Sequence, residues 1–145
     1  RLGYLKGLQS QFSDAAILFG RAAALKEGAV EPYVYQQYQY LMLQDWGRLE
    51  ASAKAALAID ANHYTSRSRL GYSFYMRRNY GAAAQEYTRL ARLYPIDLDI
   101  MIMRGWSYAL GNQKTLAQRI FREALTIAPE NAAVREGVDY ADKMR

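Results

Sequence analysis

A period of 34 residues is the feature that most restricts how this chain can fold. Steps of this length connect four pairs in which glycine or glutamine precedes an aromatic residue: Gly3-Tyr4, Gln37-Tyr38, Gly71-Tyr72 and Gly105-Trp106. Three further columns keep the spacing without a gap: Ala15/Leu49/Ala83/Ala117, Phe19/Ala53/Tyr87/Phe121 and Ala22/Ala56/Leu90/Ala124. Such a period indicates an array of stacked units, because each unit buries its apolar face only against its neighbours.

Each period contains two stretches of about 12 to 14 residues with helical apolar spacing. Polar or glycine-containing breaks separate them, at Asp45-Trp46-Gly47, Asn79-Tyr80-Gly81 and Gly111-Asn112. We therefore predict an all-α fold of antiparallel helix pairs joined by short turns. Glycine inside a helix costs roughly 1 kcal/mol relative to alanine, so we expect the recurring glycine, as at Gly71, to allow a partner helix to approach closely.

The ends of these helices are also marked. Pro95 and Pro129 follow helices that they cannot extend, and Pro32 lies where a first helical turn tolerates proline. Asp45 and Asn79 are predicted N-caps of second helices.

This pattern resembles the tetratricopeptide repeat (TPR) family. Residues 98–131 fill all six family positions, with Gly105, Tyr108, Ala117, Phe121, Ala124 and Pro129. Residues 64–97 depart only at Leu90, whereas residues 30–63 keep Tyr40 and Ala56 and differ at Gln37, Leu49, Ala53 and Ala61. The resemblance implies a right-handed α-solenoid with a partial repeat in 1–29, full repeats in 30–63, 64–97 and 98–131, and either a capping helix or the first helix of a truncated repeat in 132–145.

Ala53 stands where the family pattern has an aromatic residue. We expect bulky neighbours such as Tyr40 and Trp46 to fill the space, because an unfilled cavity of that size would cost on the order of 2 kcal/mol or more.

Composition limits the chemistry. There is no cysteine, which excludes disulfides and thiolate zinc sites, and we predict no metal and no cofactor. No apolar run approaches the roughly 18 residues of a membrane span. The chain opens at Arg1 in mid-pattern and without an initiator methionine, so we expect it to belong to a longer polypeptide whose compartment the sequence leaves open.

One face of the first helix of each 34-residue unit is predicted to bind a partner. Tyrosine outnumbers phenylalanine thirteen to four, and its apolar ring with a polar tip suits a half-exposed binding face. One position recurs as an aromatic residue in five successive periods, and we call it the aromatic column: Tyr4, Tyr38, Tyr72, Trp106 and Tyr140. In TPR domains this stripe lines the concave groove where ligands bind, so the resemblance implies a non-enzymatic scaffold for a protein or peptide segment.

The predicted partner-binding residues are the central column members and their neighbours: Tyr38, Tyr72, Trp106, Tyr35, Met42, Arg69, Tyr75, Met76 and Met103. Partner side chains would insert between the rings, with Arg69 fixing the partner's polarity. A second interpretation stays open, in which the column is a packing ladder between repeats that sets curvature.

The sequence also bears on other kinds of partner. Val34, Ser68 and Ile102 replace the polar residues with which some TPR domains hold a chaperone's C-terminal carboxylate, so we do not expect that ligand. Alternatives are a bacterial envelope or polysaccharide-export module that contacts glycan, and self-association through the array ends. The net charge of +5 is mostly dispersed, which disfavours nucleic acid.

Asp60, His63 and Ser66 are spaced three apart and suggest a catalytic triad. The repeat places Asp60 to His63 in a turn, whereas a triad brings its members together from different elements. We therefore predict no catalysis there and expect His63 to be a solvated turn residue.

Overall fold

The computed structural model describes residues 2–26 and 28–145, and the side chains of residues 5–26 and 28–145. Gly3 therefore has no described surroundings, and the side chain of Tyr4, the first column member, lies outside the described residues. Every regular element in the described part of the chain is an α-helix. The eight helices are α1 (Leu2–Leu25), α2 (Glu31–Leu43), α3 (Trp46–Ile59), α4 (Tyr64–Met76), α5 (Tyr80–Leu93), α6 (Leu98–Leu110), α7 (Lys114–Ile127) and α8 (Ala132–Lys143).

The chain divides into two compact units, Arg1–Ser73 and Phe74–Arg145. In the first unit, α2 packs against both α1 and α3. In the second unit, α6 packs against α5, α7 and α8, and α7 also packs against α8. Turns of a few residues join α2 to α3 and α6 to α7, so each pair is antiparallel, as the periodic pattern predicts.

The predicted helix ends are confirmed. The Asp45 carboxylate accepts a hydrogen bond from the Arg48 backbone N–H (3.2 Å), and the Asn79 side chain accepts one from the Ala82 N–H (3.4 Å). Pro32 lies in the first turn of α2. Two further N-caps are present: Asp97 accepts from the Ile100 N–H and Asn131 from the Val134 N–H. Each cap satisfies a backbone donor that the helix itself leaves free.

Left-handed backbone recurs with the same period. The positive φ angles of Gln44 (55°), Arg78 (62°) and Asn112 (64°) mark the turns after α2, α4 and α6. Ser10 is the corresponding earlier residue, and there α1 continues without a turn as one helix of 24 residues. The two-helix arrangement of the later segments is therefore replaced by a single helix in Leu2–Leu25.

Replacing Arg78 by glycine is expected to raise the free energy of unfolding by about 1 kcal/mol, because a left-handed conformation costs an L-residue roughly 1–2 kcal/mol that glycine avoids. Asn112→Gly is the matched control, and its gain should be smaller because asparagine tolerates this conformation. Urea denaturation followed by circular dichroism measures both. Equal gains at the two positions would contradict the explanation.

The second unit has an apolar core built around Phe121. Its ring is fully buried and packs in a cluster with Ala109, Ala117 and Ala141. A Cβ added at Gly105 would lie 2.6 Å from Cε1 of this ring, and one added at Gly137 would lie 2.3 Å from it. Phe121 is therefore held between α6 and α8 where both helices carry glycine. At Gly105 the close contact is made by this side chain of α7. Close approach of a partner helix at Gly71 stays a prediction. Gly137 was not part of that prediction.

Helix α8 is amphipathic. Val134 and Ala141 are fully buried, and Val138 packs against the Phe121 cluster, while Arg135, Asp139 and Asp142 are exposed. The helix thus completes the apolar core of the second unit.

The first unit has a core of smaller and more polar residues. Its buried apolar side chains are Ala16, Ala23, Leu49, Ala53, Ala56 and Leu70. Gln37, Ser52 and Ser66 are buried beside them. Buried polar groups are stable only when they are hydrogen-bonded, so this core depends on a polar network.

Candidate functional site

Three large apolar side chains form an exposed row along α2. Tyr35, Tyr38 and Met42 are 56%, 46% and 44% exposed. Their i, i+3, i+7 spacing places them on one side of the helix. All three belong to the predicted partner-binding set, and we call them the α2 stripe. Large contiguous apolar patches on a protein surface mark interaction sites, whereas single exposed apolar residues are common.

Tyr35 lies between two cavities of the first unit. One cavity, of about 380 Å³, is also lined by Phe19, Ala22, Pro32 and residues of the connection between α1 and α2. The other, of about 320 Å³, is lined by Val34, Asp60, His63 and their neighbours. The rings of Tyr35 and Phe19 pack with their centroids 5.3 Å apart. This contact fixes one edge of Tyr35 and leaves more than half of the residue exposed.

Arg69 lies against α2 beside Tyr38. Its Nη1 donates to the Val34 carbonyl (2.8 Å) and to Oε1 of Gln37 (3.3 Å). Burial lowers the pKa of the Arg69 guanidinium from its ordinary value, and nearby Tyr38 opposes that shift. Arginine remains charged at neutral pH in proteins. The structure thus holds a fixed positive charge beside the α2 stripe.

The column members differ in their surroundings. Tyr38 is exposed, whereas Tyr72 is half-buried and meets Trp46 edge to face at 5.6 Å. In the second unit, Trp106 contacts Phe121 at 5.4 Å and Tyr140 at 5.1 Å between ring centroids. Trp106 and Tyr140 are successive members of the column, so here the column forms a packing contact between α6 and α8.

The remaining predicted residues lie in the second unit. Tyr75 is half-buried and meets Tyr80 edge to face at 5.5 Å. Met76 is 40% exposed, and Met103 is half-buried on α6. The predicted set therefore includes exposed side chains, on α2 and at the end of α4, and side chains engaged in packing.

His63 is not the solvated turn residue that the sequence suggested. Its Nδ1 lies 2.9 Å from the hydroxyl of Ser66 and accepts the Ser66 backbone N–H at 3.2 Å, so the ring holds the first turn of α4. Nε2 of Gln37 donates to the same hydroxyl (2.9 Å). The Asp60 carboxylate instead accepts from the Asn62 backbone N–H. Ser66 is fully buried, so these side chains do not form an accessible triad.

Gln37 is the centre of this network, and sequence reasoning missed it. The residue is fully buried, and its Nε2 also approaches the Ser52 carbonyl at 3.5 Å. Ser52 precedes Ala53, which is itself fully buried. The amides of Gln36 and Gln37 both reach Ser52 on this part of α3. Filling of the space beside Ala53 by Tyr40 and Trp46 stays a prediction. The available signal was an exchange of sizes between two periodic positions. Gln37 stands where the other repeats have Gly3, Gly71 and Gly105, and Ala53 stands where they have Phe19, Tyr87 and Phe121.

The described residues contain neither a candidate metal site nor a candidate membrane-spanning helix. No group of three or more histidine, cysteine, aspartate or glutamate side chains is placed to hold a metal ion there. In that same part of the chain, each helix is too short or too polar to cross a membrane.

Comparison with solved structures identifies the fold. MamA from Desulfovibrio magneticus RS-1 superimposes with a TM-score of 0.84 at 17% identity, over 90% of this chain and 74% of that one. The TPR domain of Arabidopsis OM64 gives a TM-score of 0.72 at 16% identity, over 79% and 95% of the two chains. This chain has a TPR fold. A crystal structure of MamA agrees, with a TM-score of 0.83 at 17% identity over 97% of this chain and 82% of that one. No protein-family model and no curated protein matches the sequence.

Proposed function

We propose that this chain is a non-enzymatic protein-interaction scaffold and that the α2 stripe binds an apolar segment of a partner protein. The observation that carries the proposal is the exposure of Tyr35, Tyr38 and Met42 in one row. The TPR fold supports it, because helical-repeat arrays present extended surfaces to their partners.

The side chains of the stripe suit such a partner. A tyrosine ring supplies a large apolar area with few rotatable bonds, so it loses little conformational entropy on binding. Methionine is flexible and polarisable and adapts to irregular apolar shapes. Tyr35 also borders the two cavities of the first unit, which offer space for side chains of a bound segment.

Arg69 is expected to set the orientation in which the partner segment binds. Its hydrogen bonds to α2 hold the guanidinium beside Tyr38, so a carboxylate or carbonyl at one end of the segment would be favoured there. Tyr72 belongs to the proposed surface of the first unit. In the second unit we assign the same role to the exposed edges of Tyr75, Met76, Met103 and Trp106.

A photo-crosslinker tests the proposal directly. Benzoylphenylalanine placed at Tyr38 should crosslink a protein in lysate of the source organism, and mass spectrometry should map the attachment to an apolar segment of that protein. The same group at Ile96, an exposed residue off the stripe, is the control. Equal capture of the same segment from both positions would contradict the proposal.

A double substitution provides the affinity test. Tyr38→Ala with Met42→Ala should weaken binding of the crosslinked segment at least tenfold, because truncated central contacts of an interface each cost about 1–2 kcal/mol or more. Ile59→Ala with Ile96→Ala removes two exposed apolar side chains elsewhere and should leave affinity within twofold. Unchanged affinity in the stripe variant, with helicity retained, would move the site elsewhere. Saturable glycan binding without any protein crosslink would favour the saccharide alternative.

A further inference from the structure

A cleft in the second unit lies between α5 and α6 and reaches the start of α7. Its volume is about 610 Å³, within the usual range for sites that hold a small organic ligand or a few residues of peptide. None of the residues assigned to partner binding lines it. Its polar walls include Tyr80, Gln85, Thr88, Arg89, Arg92, Tyr108 and Gln113.

Two guanidiniums dominate the charge of this cleft. Arg89 and Arg92 are exposed and lie three residues apart, on the same side of α5. Unlike Arg122 and Arg135, which pair with acidic side chains, they form no ion pair in the described part of the chain. The lining contains no aspartate or glutamate. The two charges therefore face the cleft without a compensating anion.

A third arginine and two hydroxyl groups adjoin this pair. Nε of Arg104 donates to the Thr88 hydroxyl (3.0 Å), which lies 3.2 Å from the Tyr108 hydroxyl. The Arg104 guanidinium also lies 5.6 Å from the centre of the Tyr108 ring. These contacts fix the wall of the cleft and add positive charge next to it.

The first turn of α7 borders the same cleft. Gln113 and Leu116 line the cleft, and Gln113 makes no side-chain hydrogen bond to the helix that it precedes. In contrast, Asp97 and Asn131 cap α6 and α8. A helix N-terminus carries partial positive charge, and its uncapped N–H groups add to the preference for an anion.

The repeat pattern does not require these arginines. Thirty-four residues earlier the equivalents of Arg89 and Arg92 are Ala55 and Ala58, and thirty-four residues later they are Glu123 and Thr126. Packing of the fold therefore accepts very different side chains at both positions. A charge pair that appears in one repeat and faces a cavity is better explained by a ligand than by the architecture.

We propose that this cleft binds an acidic segment of a partner protein, with its carboxylates on Arg89 and Arg92. Guanidiniums bind carboxylates in a two-pronged geometry. The size of the cleft suits a peptide stretch rather than a lone ion, and Leu116 and Ala84 provide apolar wall between the polar groups. This site is independent of the α2 stripe, since its lining belongs entirely to the second unit.

The test titrates the folded chain with a fluorescein-labelled hexaglutamate peptide and follows fluorescence anisotropy at low salt. Arg89→Ala with Arg92→Ala should weaken binding at least fivefold. Arg21→Ala with Arg119→Ala, two exposed arginines away from the cleft, removes the same charge and should weaken binding less than twofold. Hexaglutamine should not bind. Circular dichroism confirms that both variants fold.

Several results would overturn the proposal. Equal weakening in the two double variants would show general charge attraction, and an unchanged affinity in Arg89→Ala/Arg92→Ala would place the peptide elsewhere. Tighter binding of a labelled dT6 oligonucleotide, or saturation by inorganic phosphate without competition from hexaglutamate, would assign the cleft to phosphate. In support, two-dimensional NMR of the wild type should show hexaglutamate shifting the signals of Gln85, Thr88 and Gln113.

Discussion

Phe121→Ala is expected to lower the free energy of unfolding by about 3–5 kcal/mol, the largest effect of any single substitution considered for this chain. The ring is fully buried and packs with Ala109, Ala117 and Ala141. Because α6 and α8 approach it through Gly105 and Gly137, neither of these positions has a Cβ that could fill the space that truncation leaves. Chemical denaturation followed by circular dichroism measures the loss.

A double-mutant cycle makes this prediction specific. In the wild type, Gly137→Ala should destabilise by about 1–3 kcal/mol, because the new methyl group would lie 2.3 Å from the Phe121 ring. In the Phe121→Ala background the same substitution should become neutral or stabilising, since alanine has the higher helix propensity and the obstructing ring is gone. Phe121→Leu is a milder background if Phe121→Ala does not fold.

Gly81→Ala is the matched control for the glycine effect. No heavy atom lies within 4 Å of a Cβ built at Gly81, apart from its own helix backbone and its chain neighbours. The substitution should therefore raise the stability by up to roughly 1 kcal/mol. Two results would contradict this explanation. One is that Gly137→Ala is as well tolerated as Gly81→Ala, and the other is that its effect is the same with phenylalanine and with alanine at position 121. Either would show that the missing side chain at Gly137 is not what makes room for the ring.

The second large effect is expected at Gln37. Gln37→Gly should cost about 3 kcal/mol, because it removes a buried side chain, takes a partner from the Ser66 hydroxyl and adds a glycine inside α2. Ala53→Phe alone should also destabilise, since it forces a ring into a site that is already filled. The double variant recreates the Gly105/Phe121 arrangement of the second unit.

The double variant should be more stable than the sum of the two single effects predicts, by about 1–3 kcal/mol. Denaturation of all four proteins under one set of conditions measures this coupling. Simple additivity would show that the Gln37 amide does not occupy the volume that an aromatic residue would take at position 53. A matched Gln39→Gly variant accounts for the cost of glycine itself, because Gln39 is a half-buried residue of α2 whose side chain makes no hydrogen bond within the described residues.

The two units thus solve the same packing problem with different chemistry. The second unit inserts an aromatic ring between glycines, whereas the first unit has Gln37 at the position of Gly105 and joins its amide by hydrogen bonds to Ser52, Ser66 and Arg69. The hydrogen-bond network of the first unit also affects the proposed binding site. It fixes Arg69 against α2, beside Tyr38, so part of the proposed binding surface is held in place before a partner arrives.

Local signals account for the parts of the fold that the sequence predicted well. The 34-residue period, the breaks between apolar stretches and the caps at Asp45 and Asn79 each act over a few residues, and the structure places helices accordingly. The exposure of Tyr38 and Met42 is also consistent with their predicted place on one face of the first helix of a pair. Which of the predicted residues bind a partner stays a prediction.

The periodicity was less informative where a repeat departs from its own pattern. Gln37 looked like a weak match, yet it organises the core of the first unit, because a buried amide is stable only with partners contributed by α3 and α4. Ser10 kept the phase of the repeat, but α1 passes through it as a continuous helix. The sequence pattern alone indicates dispersed charge at Arg89 and Arg92, whereas the structure places both on one wall of the cleft between α5 and α6.

The sequence by itself determined the all-α class, the spacing of the helix pairs and the positions at which helices begin and end, since these depend on periodicity, capping and backbone conformation within a few residues. Only the tertiary structure decided which member of the aromatic column is exposed and which is packed. Tyr38 is exposed, while Trp106 packs between Phe121 and Tyr140. The physical reason is that burial depends on side chains brought together from different helices, and those contacts vary between repeats that share one local pattern.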